Sequence, residues 1–124
     1  MKAQPKISNA EWEVMKTLWK EPRLTAQEIA ERLTPKTSWH PKTVKTLVNR
    51  LIKKKVVGYE KDGRAFRFLP LISESECLLT ESESFLDRVF GGALQPMVAH
   101  LINQKKLSPP EIRELQAILR KGAR

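Results

Sequence analysis

Lys42, Thr43, Lys45, Thr46, Asn49, Arg50 and Lys53 crowd one short stretch that begins at Pro41. It holds no nucleophile beside a base and no pair of carboxylates, so the chemistry open to it is hydrogen bonding and charge. Major-groove reading needs a helix that projects short hydrogen-bonding side chains and at least one Arg from a face that packing does not use. Thr43 and Thr46 can approach base edges or a thymine methyl, Asn49 shares their segment, and Arg50 can bond guanine or a phosphate. Lys42, Lys45 and Lys53 suit the phosphate backbone. Further on, Lys61 and Arg64 flank a predicted turn from which they can reach phosphates or the adjacent minor groove.

These side chains act together only if the segment is a helix with its other side buried. Val44, Leu47, Val48, Leu51 and Ile52 fall at i, i+3, i+4, i+7 and i+8, and at 100° per residue they span about 140° of the circumference. Pro41 fits the first helical position, where its missing amide costs nothing. A solvated amphipathic surface is the bland alternative for such a face, and the flanking segments weigh against it. Ser8-Asn-Ala-Glu11 and Thr25-Ala-Gln-Glu28 are capping boxes that open two earlier helices, of about 9–20 and up to about 34. Met15, Leu18, Ala26, Ile29 and Leu33 point inward. Trp12 and Trp19, at helical spacing with Met15 and Leu18, read as core or near-core residues, and Trp39 as a packing residue. After the third helix come Val56-Val-Gly-Tyr59 and Arg64-Ala-Phe-Arg-Phe68, with Asp62-Gly63 expected as the two-residue turn and Pro70 closing the second strand. The predicted fold is mainly α: a winged helix-turn-helix of three helices plus a β-hairpin wing.

Beyond Pro70 the chain reads as three more helices. Leu78, Leu79, Phe85, Leu86, Val89 and Phe90 mark the first, of about 74–90, stopped by Gly91-Gly92; Leu94, Met97, Val98, Leu101 and Ile102 mark the second. Ser108-Pro-Pro-Glu111 caps a third, whose stripe is Ile112, Leu115, Ile118 and Leu119. Charge divides the same way. Residues 1–70 carry 16 Lys+Arg against 7 Asp+Glu, the whole net +9, whereas residues 71–124 carry 7 against 7. A basic footprint confined to the helix-and-hairpin half points to nucleic acid. We therefore expect a winged DNA-binding domain over 1–72 and a helical dimerisation domain over 73–124, because a tail this short with an apolar face on every helix is marginal without a partner. Its dimerisation residues are Leu79, Phe85, Leu86, Val89, Leu94, Met97, Val98, Leu101, Ile102, Ile112, Leu115, Ile118 and Leu119.

The remaining residues narrow the function by what they lack. No apolar run approaches the roughly 18 residues of a membrane span, and Met1-Lys-Ala-Gln-Pro has no apolar core of a secretion signal, which predicts a cytoplasmic protein without membrane insertion. Cys77 alone makes no internal disulfide and reads as a small apolar helix residue. His40 and His100 form no metal-ligand cluster, and His100 reads as interfacial or exposed. With no catalytic constellation and no glycine-rich phosphate loop, an enzyme is not expected, nor a cofactor.

Ser8-Asn-Ala-Glu-Trp-Glu-Val-Met15, Trp39-His-Pro-Lys-Thr-Val-Lys-Thr-Leu47, Arg50-Leu-Ile-Lys-Lys54, Gly58-Tyr-Glu-Lys and Ser108-Pro-Pro-Glu-Ile112 together resemble the penicillinase-repressor family (BlaI/MecI type), over about Ile7 to Leu119. The resemblance implies a homodimeric transcriptional repressor whose winged domains bind double-stranded operator DNA as an inverted repeat and whose tails interlock two subunits. It also implies control of β-lactamase or penicillin-binding-protein genes, with derepression by proteolysis of the C-terminal domain after a membrane sensor, acting indirectly, detects the antibiotic. The end, Leu119-Arg-Lys-Gly-Ala-Arg124, lacks the Cys-rich signature of the copper-responsive branch. Similar proteins tend to be cut at Asn-Phe in the second tail helix, where this chain aligns His100-Leu101, the candidate cleavage position. They also carry Gly after the recognition helix where this chain has Lys55. A left-handed lysine costs roughly 1–2 kcal/mol, so the helix is expected to end slightly differently, with Lys55 adding a charge near DNA. The alternatives are a winged-helix regulator responding directly to a small ligand or metal, and an architectural protein binding DNA without sequence preference.

Overall fold

Two reciprocal capping boxes set the first two helices. Ser8 Oγ accepts from the Glu11 amide at 3.1 Å while Glu11 Oε1 accepts from the Ser8 amide at 2.8 Å, and Thr25 and Glu28 repeat the exchange at 3.1 and 2.9 Å. Each box satisfies amides that a helix start otherwise leaves orphaned. The computed structural model describes residues 6–122. The secretion-signal reading of residues 1–5 lies outside them, as do the last two residues of the tail. The elements in order are α1 (Asn9–Lys20), α2 (Ala26–Leu33), α3 (Pro41–Lys53), β1 (Val57–Asp62), β2 (Ala65–Pro70), α4 (Glu74–Phe90), α5 (Leu94–Asn103) and α6 (Pro109–Gly122). This is the mainly α, winged-helix architecture that the periodicities predict. The chain divides into two compact units, Met1–Thr80 and Glu81–Arg124, with the divide falling inside α4.

The first unit has one core. Val14, Met15 and Leu18 of α1, Ile29, Ala30 and Leu33 of α2, and Val44, Leu47, Val48 and Leu51 of α3 are buried together, with Leu24, Val56 and Val57 from the connections and the wing. Each such aliphatic side chain contributes roughly 1.5–3 kcal/mol by leaving water. Trp19, Trp39, Ile52 and Phe68 pack against this core half-buried. Trp19 donates its indole Nε1–H to the Ile72 carbonyl at 2.9 Å and meets Trp12 edge to face at 5.5 Å. Ala30 replaces the expected Ala26 as the buried alanine of α2. Cys77, in the part of α4 that belongs to this unit, is buried.

The wing is an antiparallel β1–β2 hairpin in register Val57↔Pro70 through Asp62↔Ala65. That register corrects the expected turn. Asp62 is the last paired residue, so the two loop residues are Gly63 and Arg64. Gly63 has φ +64 and Arg64 is not left-handed, the pattern of a turn with glycine at its first central position. A second correction concerns Lys55, which keeps the left-handed conformation at φ +65. Its amide donates to the Ile52 carbonyl at 2.9 Å and the Val56 amide to the Leu51 carbonyl at 3.2 Å, a Schellman end that needs a left-handed residue whatever its side chain. The helix therefore ends as one with glycine would, and the lysine bears the strain. Nothing in the sequence announced a third strand-like contact: Leu24 bridges Phe68, with the Phe68 amide on the Leu24 carbonyl at 2.8 Å and the Arg23 amide on the Phe68 carbonyl at 2.9 Å. It fastens the wing to the α1–α2 connection.

In the second unit α6 starts on a further capping box, Ser108 with Glu111, and α5 ends in a left-handed Lys105 at φ +56. Neither α5 nor α6 buries a residue. No helix among the described residues is long and apolar enough to cross a membrane.

Candidate nucleic-acid interface

The start of α3 is held by His40, whose Nδ1 accepts from the Lys42 amide at 3.1 Å, and by Pro41 immediately after it. One side of the helix is core. On the other, Lys42, Thr43, Lys45, Thr46, Asn49, Arg50 and Lys53 are all exposed, as are Lys61 and Arg64 on the wing. The structure thus brings the seven α3 candidates onto one solvent-facing surface of a single rigid helix. Thr46 is constrained further: its hydroxyl donates to the Lys42 carbonyl at 3.0 Å. With that hydrogen committed, it presents lone pairs and a methyl, which match an exocyclic amine of adenine or cytosine, or a thymine methyl.

Charge in this unit is sorted by pairing. Glu13 is matched by Lys16, Glu21 by Arg32, Glu60 by Arg23, Asp62 by Arg67, Glu28 by Arg67 and Glu11 by Lys54. Arg23 donates to both carboxylate oxygens of Glu60, and this guanidinium holds the Glu60 carboxyl below its usual range. Arg67 Nε donates to Asp62 at 2.7 Å and does the same for that carboxyl. Its Nη1 also donates to Glu28 at 3.1 Å and to the Arg23 carbonyl at 3.0 Å, linking the wing to the start of α2. Lys42, Lys45, Arg50, Lys53, Lys55, Lys61 and Arg64 have no ion-pair partner among the described residues. Six acidic side chains are thus matched by cations other than the exposed ones of α3 and the wing turn, and that surface is left with uncompensated charge.

Two residues beside this surface were not anticipated. Gln27 near the start of α2 and His40 line, with Ala26, Pro41, Lys42 and Lys45, a hollow of about 280 Å³. The Thr25 capping box is the one sequence signal that placed Gln27 on the first turn of α2; nothing in the sequence brings that turn beside Lys42.

In the tail, Leu79, Phe85, Val89, Leu94, Ile102, Ile118 and Leu119 are each more than two-fifths exposed. Leu86, Met97, Val98, Leu101, Ile112 and Leu115 are half-buried. His100 is exposed and Leu101 half-buried, and both lie inside α5.

Comparison with known proteins places this geometry. The family described as Penicillinase repressor matches residues 7–121. The penicillinase repressor of Bacillus licheniformis is 42% identical over 96% of this chain and 93% of its own length. The methicillin resistance regulatory protein MecI of Staphylococcus aureus (strain N315) is 36% identical over 93% and 94%. Among solved structures, the DNA binding domain of the repressor BlaI superposes with a TM-score of 0.54 at 43% identity, over 61% of this chain and 93% of that one. The monomeric form of Bacillus licheniformis BlaI, in complex with the blaP half-operator, does so with a TM-score of 0.53, also at 43% identity and the same coverage. MepR of Staphylococcus aureus, 24% identical with a TM-score of 0.53 over 95% of this chain and 78% of its own, shares the fold. Matched along nearly its whole length by the family and by two relatives that it covers almost end to end, the chain belongs to the penicillinase repressor family.

Proposed function

We propose that this protein is a DNA-binding transcriptional repressor that acts in the cytoplasm as a homodimer, each winged domain taking one half-site of an inverted-repeat operator. The observation that carries the reading is the sorting of charge: six cations, Lys42, Lys45, Arg50, Lys53, Lys61 and Arg64, stand exposed and without ion-pair partners among the described residues on α3 and the wing. Neutralising phosphates releases counterions and supplies most of the binding free energy. Thr43, Thr46, Asn49 and Arg50 supply the discrimination, since they combine acceptors, a methyl and a fork of donors on one groove-sized helix. Structural likeness to BlaI, solved in complex with a half-operator, supports operator binding by this unit.

The tail supports dimerisation, because Leu79, Phe85, Val89, Leu94, Ile102, Ile118 and Leu119 of its apolar stripes stay exposed in a single chain. Two reading helices set about one DNA turn apart gain from being tied together, because the second engagement becomes intramolecular. Anything that separates the tails therefore releases DNA without touching a base contact. The name of the penicillinase repressor relative supports β-lactamase genes as targets; the further parts of this reading, penicillin-binding-protein genes as targets and derepression by proteolysis in the tail with a membrane sensor acting indirectly, rest on the family resemblance alone. If His100–Leu101 is the bond cut, a turn of α5 must open first, and a helix with no buried residue opens readily.

Footprinting the full chain on the DNA beside its own gene, with sedimentation of the complex, tests this reading. The expected result is a protected inverted repeat carrying two chains. A single chain on a palindromic duplex overturns the dimer, and protection without sequence preference at physiological salt overturns the repressor.

A further inference from the structure

The hairpin register sorts the wing into two faces. Directly opposed residues share a face, so Tyr59, Lys61, Phe66 and Phe68 lie on one, and Glu60, Asp62 and Arg67 on the other. The second face is occupied by the ion pairs described above. The first is covered at Phe68, which packs against the core, and open at its outer end. Tyr59 is 56% and Phe66 46% exposed, packed edge to face at 5.4 Å. Together with Phe68, Ile52 and Asn49 they line an open hollow of about 320 Å³ between the wing and α3. Two large aromatic side chains left in water beside a hydrogen-bonding rim mark a place where something binds.

We infer that this hollow is a docking groove for one strand of the operator, with Tyr59 and Phe66 packing against its deoxyribose rings. The inference rests on the operator-binding reading and follows from where the hollow lies. When α3 enters the major groove and the wing reaches the adjacent minor groove, the strand that separates the two grooves runs between those elements. That gap is the hollow, and Asn49 belongs both to its rim and to the exposed face of α3. The surroundings suit a chain of sugars and phosphates: apolar carbon faces meet the aromatic rings, while Lys61, on the same wing face, and Lys53, next to Ile52, are exposed cations for the phosphates on either side. A free apolar ligand would have no use for those two charges, and a second copy of this unit would bring the same charges into repulsion.

Such a contact is apolar, so it adds affinity without releasing counterions, and it touches sugars, so it acts on any sequence. The test measures binding of the full chain to a labelled duplex of about 30 base pairs, of arbitrary fixed sequence, over a range of salt. Tyr59→Ala with Phe66→Ala is expected to raise Kd about tenfold while leaving the slope of log K against log salt unchanged. Phe66→Leu, which keeps an apolar surface, is expected to bind nearly as the unmodified chain, whereas Phe66→Gln is not. Thermal melts of the same variants show whether these exposed positions leave the fold intact, and Tyr59→Ala alone carries the test if the double variant melts early. Wild-type affinity in the aromatic variants overturns the groove, as does a lowered salt slope, or an unchanged DNA affinity with a loss of self-association, which assigns the hollow to a second copy. Failure of the unmodified chain to bind duplex overturns the repressor reading and the groove with it; normal binding by every variant overturns the groove alone.

Discussion

Lys54 Nζ lies 2.5 Å from Glu11 Oε1, joining the end of α3 to the start of α1 across 43 residues of sequence. Glu11 is only 1% exposed. Its carboxylate also accepts the Ser8 amide, and Lys54 donates a second time to the Lys6 carbonyl at 2.6 Å. A capping-box glutamate thus doubles as the counter-ion that anchors α3 at its far end.

Burial pushes the Glu11 carboxyl up, but the Lys54 ammonium and the Ser8 amide outweigh it and hold it below its ordinary 4.5. The charged form is therefore favoured by folding. Its stabilisation is complete above about pH 4.5 and is lost as pH falls through the lower folded value. Glu11→Gln is expected to cost about 2 kcal/mol at neutral pH, because it leaves Lys54 without its counter-ion, and the difference from the unmodified protein should shrink below pH 4.5. Urea denaturation at several pH values checks both; a gap that stays constant down to pH 3 refutes the linkage.

Variants of Arg50 and Lys61 test the proposed division between base reading and phosphate binding. Arg50→Ala is expected to flatten discrimination between the operator and single-base variants of it, by about 1–3 kcal/mol at the affected position. Lys61→Ala should weaken binding to all duplexes alike and reduce the salt slope by about 1 for each subunit. Competition titrations with random DNA measure both. Equal, sequence-independent losses would place Arg50 on a phosphate.

Lys55 is left-handed at φ +65 where glycine is at ease. Lys55→Gly is expected to raise stability by about 1 kcal/mol, read as a melting point higher by several degrees, while removing one cation beside α3. A stabilised variant with unchanged DNA affinity shows that the lysine contributes strain and no contact; a destabilised one contradicts the strain.

Ile118 and Leu119 of α6 are 63% and 61% exposed in the single chain. Ile118→Asp with Leu119→Asp is expected to abolish self-association, since burying the two carboxylates without partners is prohibitive. Operator affinity at nanomolar protein should then fall by about a hundredfold or more while contacts on α3 are untouched. Sedimentation and gel shift on one preparation decide it: a dimeric variant removes these residues from the interface, and an unaffected gel shift removes dimerisation from the mechanism.

Much of this molecule is local and so was legible in one dimension. The ends of α1, α2 and α6 follow from Ser/Thr-x-x-Glu boxes whose partners are three residues apart, and the buried side of α3 follows from a 3.6-residue period. The seven polar residues of α3 face solvent because the apolar ones cannot. What escaped depends on register or on distant pairs. Asp62-Gly63 carries a strong turn signal, yet cross-strand pairing of Asp62 with Ala65 moves the loop by one residue. A rule for glycine at helix ends cannot say whether Lys55 will change the geometry or endure it; the Schellman hydrogen bonds decided that it endures.

Six helices, the hairpin and the concentration of basic residues in one half are readable along the chain, because periodicity, caps and composition are properties of neighbours. Which cations are spent on carboxylates and which remain for a ligand, the bridge from the wing to Leu24, and the open position of Tyr59 and Phe66 beside Asn49 came with folding. Those outcomes turn on distances between segments tens of residues apart, and such distances exist only once the core of α1, α2 and α3 has closed.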